Sequence, residues 1–429
     1  MVLCTGFLKM IGTASVALTG STTGLSSRGL TTLSYVPPSA SPTIMADITT
    51  NPSTSSTPAA PSPGIAATGT GARRSPGKEA MRVKSPLIYS HPMSSLENAP
   101  PIYLKLDALQ PSGSFKDRGM ATLCSTLQRQ GARRLVSSSG GNAGLSAALC
   151  GRILGMPVQV IVPSTTKPLM LEKIRAQGAK VEVFGKNWNE ADARARWVVE
   201  EGGREGGPEA VAYIPPYDHP LLWEGHSTLV DELVEGGREG GMEEAPAAIV
   251  ASVGGGGLLC GIYEGLSRYE GRAGWEDVGV VGVETEGAAS FAAGLAAGEV
   301  VRLTEIQTVA TSLGALEVTP RALEYARSGG RAGGRDGGQD KGPRLTLSEV
   351  VTDAEAVQAC RAFLRDHRLL VEPACGAALA LVYSPRLRKR LKAWSAAKGG
   401  RPVVIVVCGG SGITPEILVE MERGLGVGS

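Results

Sequence analysis

Four short segments of this chain hold residues whose types and spacing could do chemistry. Pro111-Ser112-Gly113-Ser114-Phe115-Lys116-Asp117-Arg118-Gly119 follows a strand-like run, IYLKLD, and precedes a helical one. Lys116 is therefore expected near a helix N-terminus, where the positive end of the dipole disfavours an ammonium and can lower its pKa. A neutral lysine amine can form a Schiff base with an aldehyde, and Phe115 beside it could pack near a planar ring. Taken alone, such a lysine is more readily a surface residue beside a loop. Ser137-Ser138-Ser139-Gly140-Gly141-Asn142-Ala143-Gly144 follows the strand-like RRLV. Its small residues would expose backbone N–H groups at the start of the next helix, an anion site suited to a carboxylate. Asn142 adds a donor and an acceptor; the plainer alternative is a Gly/Ser turn capping a helix. Ser252-Val253-Gly254-Gly255-Gly256-Gly257-Leu258-Leu259 follows AAIVA and opens a helix. Four bare glycines let the backbone wrap a phosphate with the helix dipole behind it. The text is neither a Walker A loop nor GxGxxG, and glycine runs are common in this chain, but the others lack a preceding strand. Cys408 stands at the carboxyl end of PVVIVV, the edge where open α/β folds gather ligands; an ordinary buried cysteine is the alternative.

The elements that must position these segments alternate strand-like and helical. GARRLVSSS, VQVIVP, VEVFG, AAIVASVGG, VGVVGVETE and RPVVIVVCGG read as strands, while NAGLSAALCGRILG and TTKPLMLEKIRAQGA have helical periodicity. Such alternation predicts an α/β fold with parallel sheets. Three Gly-rich inserts, at 201–209, 235–244 and 328–342, are expected to be exposed flexible loops. Residues 1–81 are dense in Ser, Thr, Pro, Ala and Gly with no acid before Asp47; they read as a disordered leader. An organelle transit peptide has the same composition, as does a plain tail or a misassigned start. The location expected is cytoplasmic, or a mitochondrial or plastid matrix if the leader targets the chain.

Composition narrows the classes. A chain of 429 residues with 42% hydrophobic content is expected to form more than one domain. A formal net charge of only +2 argues against nucleic acid or an acidic membrane surface as partner, and no apolar run approaches the roughly 20 residues a bilayer span needs. The seven cysteines are odd in number and form no CxxC pair, which disfavours a disulfide framework or structural zinc. The four histidines, at 91, 219, 226 and 367, lack ligand spacing and are read as non-metal.

The text Q-P-S-G-S-F-K-D-R-G at 110–119 resembles the cofactor-lysine segment of fold-type II pyridoxal-phosphate enzymes. The S-S-G-G-N-A loop and S-V-G-G-G-G-L-L resemble that family's asparagine and phosphate loops. CGGS at 408–411, YIPPYDHPLLWEGH at 213–226 and VEPACGAALALVYS at 371–384 look most like the animal-type serine dehydratase branch, a resemblance covering about 83–420. It implies a tryptophan synthase beta-like fold of two α/β domains, a small one over 115–217 and a large one combining 82–114 with 218–429. It implies pyridoxal 5'-phosphate bound covalently to Lys116, with Phe115 and Ser312 beside the ring and Asn142 on its phenolate oxygen. Gly254, Gly255, Gly256, Gly257 and Leu258 would hold its phosphate, and Cys408 would meet the pyridine nitrogen. Ser138, Ser139, Gly140, Gly141, Asn142 and Ala143 would grip a substrate carboxylate. A neutral thiol cannot enforce a pyridinium, so the ring would be a milder electron sink, suited to β-elimination.

The activity implied is dehydration of L-serine to pyruvate and ammonia, and of L-threonine to 2-oxobutanoate. Lys116 would take the Cα proton, and the cofactor phosphate is the candidate acid for the departing hydroxyl. Glu284, Ala288, Leu313 and Ala315 match a monovalent cation site, for K+ by example; an uncomplexed carboxylate is an equal reading of Glu284. The family also implies a homodimer. Three positions depart from its text: Gly412 where asparagine is frequent, Asp117 where an apolar residue is usual, and Ser312 in place of a small apolar residue. A threonine dehydratase or serine racemase would share the cofactor motifs, though Gly140 stands where a racemase's second acid/base serine is expected. A non-catalytic relative that binds cofactor or amino acid is the alternative from another class.

Overall fold

The apolar runs of this chain are long enough for strands and too short for helices, and several of the strands they form are buried at every position, as strands covered on both faces are. In the computed structural model, which describes residues 80–206, 210–329 and 344–427, they form ten strands among the described residues. These are β1 (Leu87–Tyr89), β2 (Ile102–Lys105), β3 (Arg134–Ser137), β4 (Val158–Val162), β5 (Lys180–Val183), β6 (Val211–Ile214), β7 (Ala248–Ser252), β8 (Gly279–Thr285), β9 (Thr346–Val351) and β10 (Val403–Val406). They make two sheets, ordered β1-β2-β10-β7-β8-β9 and β5-β4-β3-β6. The α/β architecture with parallel sheets is as expected, with one exception: edge strand β1 pairs β2 antiparallel. Strands of the four-stranded sheet lie between residues 134 and 214, and those of the six-stranded sheet on either side in sequence. Both sheets belong to one compact unit, residues 74–429.

Alternation of side chains along a strand divides the core of the four-stranded sheet. Leu135 and Val160 face one cluster with Met120, Leu123 and Ala147. Their neighbours Val136 and Ile161 face the other, with Ala191, Ala195 and Val198. Those three residues recur at helical spacing on one stripe of the helix Trp188–Gly206. This corrects one loop expectation. The EGGREG text at 201–206 is helical, because Gly202 lets the helix approach the sheet closely; a Cβ there would stand 2.7 Å from Val211 and from Arg134. The insert at 235–244 is likewise ordered. The helix Pro220–Gly236 runs into it, a tight turn follows in which Met242 N donates to Gly237 O at 2.7 Å, and Met242 is buried. Of the third insert, Ser328 ends the helix Pro320–Ser328 and Gly329 caps it, while 330–342 lie outside the described residues, as does the leader apart from its last two residues. Met81, the last of them, packs half-buried against the core.

In a parallel sheet every following loop leaves the same edge. The segments after β2, β7 and β10 therefore emerge together, and the loop after β3 leaves the matching edge of the smaller sheet.

Candidate functional site

Each segment sits at a strand-to-helix junction. Lys116 is the first residue of the helix Lys116–Arg129, and its Nζ donates to Pro216 O at 2.8 Å. Burial pushes its pKa down to about 8, so burial contributes what the helix dipole alone was expected to supply. Phe115 lies under the amine at 5.0 Å and packs on the buried His226 ring at 5.0 Å. Asp117, the apparent departure, is a clasp. Its carboxylate accepts from Ser112 N and Ser112 Oγ, both at 2.6 Å, and from Ser146 Oγ. It thereby ties the lysine loop to the helix Asn142–Leu154.

The contacts then close a ring. Tyr217, next to the lysine's carbonyl partner, lies against the glycine loop: a Cβ at Gly255 would stand 2.3 Å from its ring, and one at Gly257 2.6 Å from its carbonyl oxygen. Gly256 has φ +85°, a conformation glycine adopts without steric cost, and caps the helix Gly257–Ser267 with no side chain over its amides. Gly254 abuts the backbone of Ser312 and Leu313: a Cβ on it would stand 3.3 Å from Ser312 O and 3.2 Å from Leu313 Cα. Ser312 Oγ donates to Glu372, which also accepts from Asn142 Nδ2 at 3.1 Å. Asn142 Oδ1 accepts from Ser411 N at 2.9 Å. Gly410 N donates to Gly113 O at 2.8 Å, and Phe115 N to Cys408 O at 3.0 Å, which returns to Lys116. Lysine loop, glycine loop, asparagine loop and cysteine thus border one space.

Over residues 80–409 the chain matches the family described as pyridoxal-phosphate dependent enzyme. It belongs to that family. The chain is similar to the human L-serine dehydratase/L-threonine deaminase, 40% identical over 81% of this chain and 97% of that one. It is also similar to the L-serine dehydratase of Dictyostelium discoideum, 38% identical over 77% and 89%. Among solved structures it resembles a fungal L-serine ammonia-lyase from Rhizomucor miehei, with TM-score 0.69, 34% identity, and 80% and 99% of the two chains covered.

The donor set fits the cofactor of a pyridoxal-phosphate dependent enzyme. An amine with a lowered pKa suits an aldehyde; the uncapped amides after β7, with a buried Ser252 hydroxyl that has no hydrogen-bond partner among the described residues, suit a phosphate; and the amide donor of Asn142 suits a phenolate. Cys408, a free thiol, suits an unprotonated pyridine nitrogen: its hydrogen bond with the free Cys375 thiol, together with burial, raises its pKa well above the ordinary thiol value. It stays a neutral donor. The helix Asn142–Leu154 begins at Gly141 without a side-chain cap, leaving amides of the asparagine loop for a carboxylate. Ser139 Oγ accepts from Gly141 N at 3.3 Å, and Ala143 is buried behind the loop.

Not every expected residue uses its side chain here. The Ser138 hydroxyl is fully buried and donates to Asp192 Oδ1 at 2.7 Å beside Tyr213, so it braces the loop instead of reaching a ligand. Glu284, expected on a cation, accepts from the amides of Phe291 and Ala292 at 2.8 Å, one on each oxygen, and keeps further lone pairs; burial pushes its pKa up to about 7. The Leu313 carbonyl accepts from Ala315 N at 2.7 Å, and Ala288 is buried in the 3-10 turn after β8. Among the described residues no group of three or more His, Cys, Asp or Glu is placed to hold a metal ion, and no helix is long and apolar enough to cross a membrane. Sequence reasoning missed Glu372 as part of the site. Glu372 lay inside the VEPACGAALALVYS resemblance, the one signal that could have drawn attention to it.

A lysine with a pKa of about 8 is mostly protonated at lower pH and cannot attack an aldehyde. Cofactor-free protein mixed with pyridoxal phosphate should develop its visible absorbance about tenfold faster per pH unit below roughly pH 7 and level off above about pH 8. A flat stopped-flow profile over that range would refute the assignment of a neutral-leaning amine.

Proposed function

We propose that the protein is an L-serine dehydratase that also accepts L-threonine. The observation that carries this reading is the closed ring of contacts joining Lys116, the asparagine loop, the glycine loop and Cys408, on a chain 40% identical to a protein named L-serine dehydratase/L-threonine deaminase. Lys116 holds the cofactor. The bare amides of Gly254–Gly257 and Leu258 bind its phosphate, Asn142 its phenolate oxygen, and the Cys408 thiol its ring nitrogen. Phe115 packs beside the ring and Ser312 borders it. Amides of Ser139–Ala143 bind the substrate carboxylate. The Lys116 amine would take the Cα proton as general base. Bound pyridoxal phosphate supplies the electron sink for that carbanion. The two sheets act as two domains, 115–217 and the remainder, whose closure excludes water; the working form is a homodimer in the cytoplasm, or in an organelle matrix if the leader targets it.

Gly140 supports elimination over racemisation. A Cβ there would stand 2.7 Å from the Thr166 methyl and hydroxyl, so a serine base at this position does not fit without moving Thr166. The test is a pyruvate and 2-oxobutanoate assay on purified protein with L-serine and L-threonine, with the chirality of residual serine followed. Pyruvate from serine without D-serine is expected. Yellow protein that makes no keto acid would return the chain to a binding role. A K+ at Glu284, Ala288, Leu313 and Ala315 belongs to the same reading. It predicts faster turnover in KCl than in choline chloride; equal rates leave Glu284 as a helix cap alone.

A further inference from the structure

We propose that Glu372 is a positioning residue, which holds the Asn142 amide with its NH2 group on the Glu372 side and its oxygen on Ser411 N, the orientation that keeps an N–H available to a phenolate. The proposal rests on the chain being a pyridoxal-phosphate enzyme and assigns a role that no motif in the sequence suggests.

Glu372 is buried at the start of the helix Pro373–Tyr383, and the polar groups that meet its carboxylate are all donors. Asn142 Nδ2 lies 3.1 Å and 3.2 Å from its two oxygens. Ser312 Oγ donates to one oxygen, and Gly412 N to the other at 2.5 Å. A carboxylate accepts only, so it satisfies all three. On the opposite side, Ser411 N donates to Asn142 Oδ1 at 2.9 Å. Turning the amide over would set its oxygen against a carboxylate and its NH2 against an N–H, losing bonds at both ends. The orientation of Asn142 is thus decided by its network, as such amides must be, and only this orientation offers a donor to a phenolate.

Two of the chain's departures from its family's text meet at this carboxylate. Ser312 supplies a donor where an apolar residue is usual. Gly412 supplies an amide and room: a Cβ there would stand 3.0 Å from Glu372 Oε1. Gly410 is also required, since a Cβ would fall 2.4 Å from the Glu372 carboxyl carbon.

The test compares Glu372→Gln, Asn142→Ala and the double variant as holoenzymes, reading the visible spectrum of the lysine-bound cofactor against pH. A glutamine has one acceptor oxygen in place of two, so Asn142 Nδ2, which reaches both oxygens of Glu372, keeps at most one of them and its hold is weakened. Glu372→Gln should displace the pH midpoint of the visible band in the same direction as Asn142→Ala, by about one unit, a tenfold change in the equilibrium. The double variant should go no further than Asn142→Ala. An unchanged midpoint in Glu372→Gln, or additive displacements, would overturn the proposal. Should Glu372→Gln fail a circular-dichroism check of folding, Glu372→Asp replaces it. That variant keeps the acceptor but shortens its reach by a methylene, so a smaller displacement in the same direction is expected, and none at all overturns the proposal. Because the readout needs bound cofactor and no turnover, protein that shows these displacements but makes no keto acid defeats the dehydratase reading and leaves this one standing.

Discussion

Lys116→Ala should abolish the covalent cofactor signal and lower keto-acid production from L-serine by at least about 10⁴-fold, since it removes both the attachment point and the general base. The variant should remain folded. Alanine is the best helix former, Lys116 stands at the first position of its helix, and the hydrogen bond it gives up, to Pro216 O, leaves a backbone acceptor at the border of the site where water can reach it. Borohydride treatment followed by mass measurement checks the first part: wild-type protein should gain the mass of one reduced cofactor and the variant none. A coupled pyruvate assay checks the second. Keto-acid formation undiminished in Lys116→Ala would remove Lys116 from the chemistry whatever the spectrum shows.

Arg118→Met should destabilise the fold by about 3–5 kcal/mol, the usual consequence of leaving buried charges without their partner. Arg118 is fully buried. It donates from Nε and Nη2 to the Asp107 carboxylate at 2.8 Å, from Nη1 and Nη2 to Glu232 at 2.7 Å, and to Ser85 and Thr228 at 3.0 Å. Lys105 Nζ adds a bond to Glu232 at 2.6 Å. Two cations thus balance two carboxylates, and the lysine helix is pinned to β2, which carries Lys105 and leads directly into Asp107. Methionine fills similar volume, so the loss is electrostatic and not a cavity.

The sign of the pH dependence separates this cause from a packing defect. Burial alone would raise the Glu232 pKa, but the bonds and charges of Arg118 and Lys105 outweigh it and hold the carboxyl below its usual value. In the wild type this contributes stability that is present above the unfolded carboxyl pKa and lost as pH falls through the folded one. Without Arg118 the carboxyl can take up a proton on acidification. The deficit in urea unfolding should therefore shrink between pH 7 and about pH 5. A deficit independent of pH would point to packing instead.

The segments that could be read from the sequence are those whose chemistry is local. A strand followed by small residues and then a helix places free amides at the strand's carboxyl edge regardless of what surrounds it. That holds for Ser137–Gly144 and Gly254–Gly257, and a lysine opening a helix is just as local. The alternation of buried runs with helical ones likewise specified two-sided parallel sheets. What remained illegible depended on partners far away in the chain. Glu372 meets Asn142 across 230 residues, Ser138 is diverted to Asp192 by the helix that joins β5 to β6, and Arg118 finds Glu232 after 114. Glycine composition misled for the same reason: the text at 201–206 is flexible by itself, and becomes helical because Gly202 is pressed against Val211. Backbone geometry is set within a few residues, so the sequence by itself determined which groups are presented. Which presented group is spent on another, and which is left for a ligand, is set by contact between distant residues, and only the tertiary structure decided it.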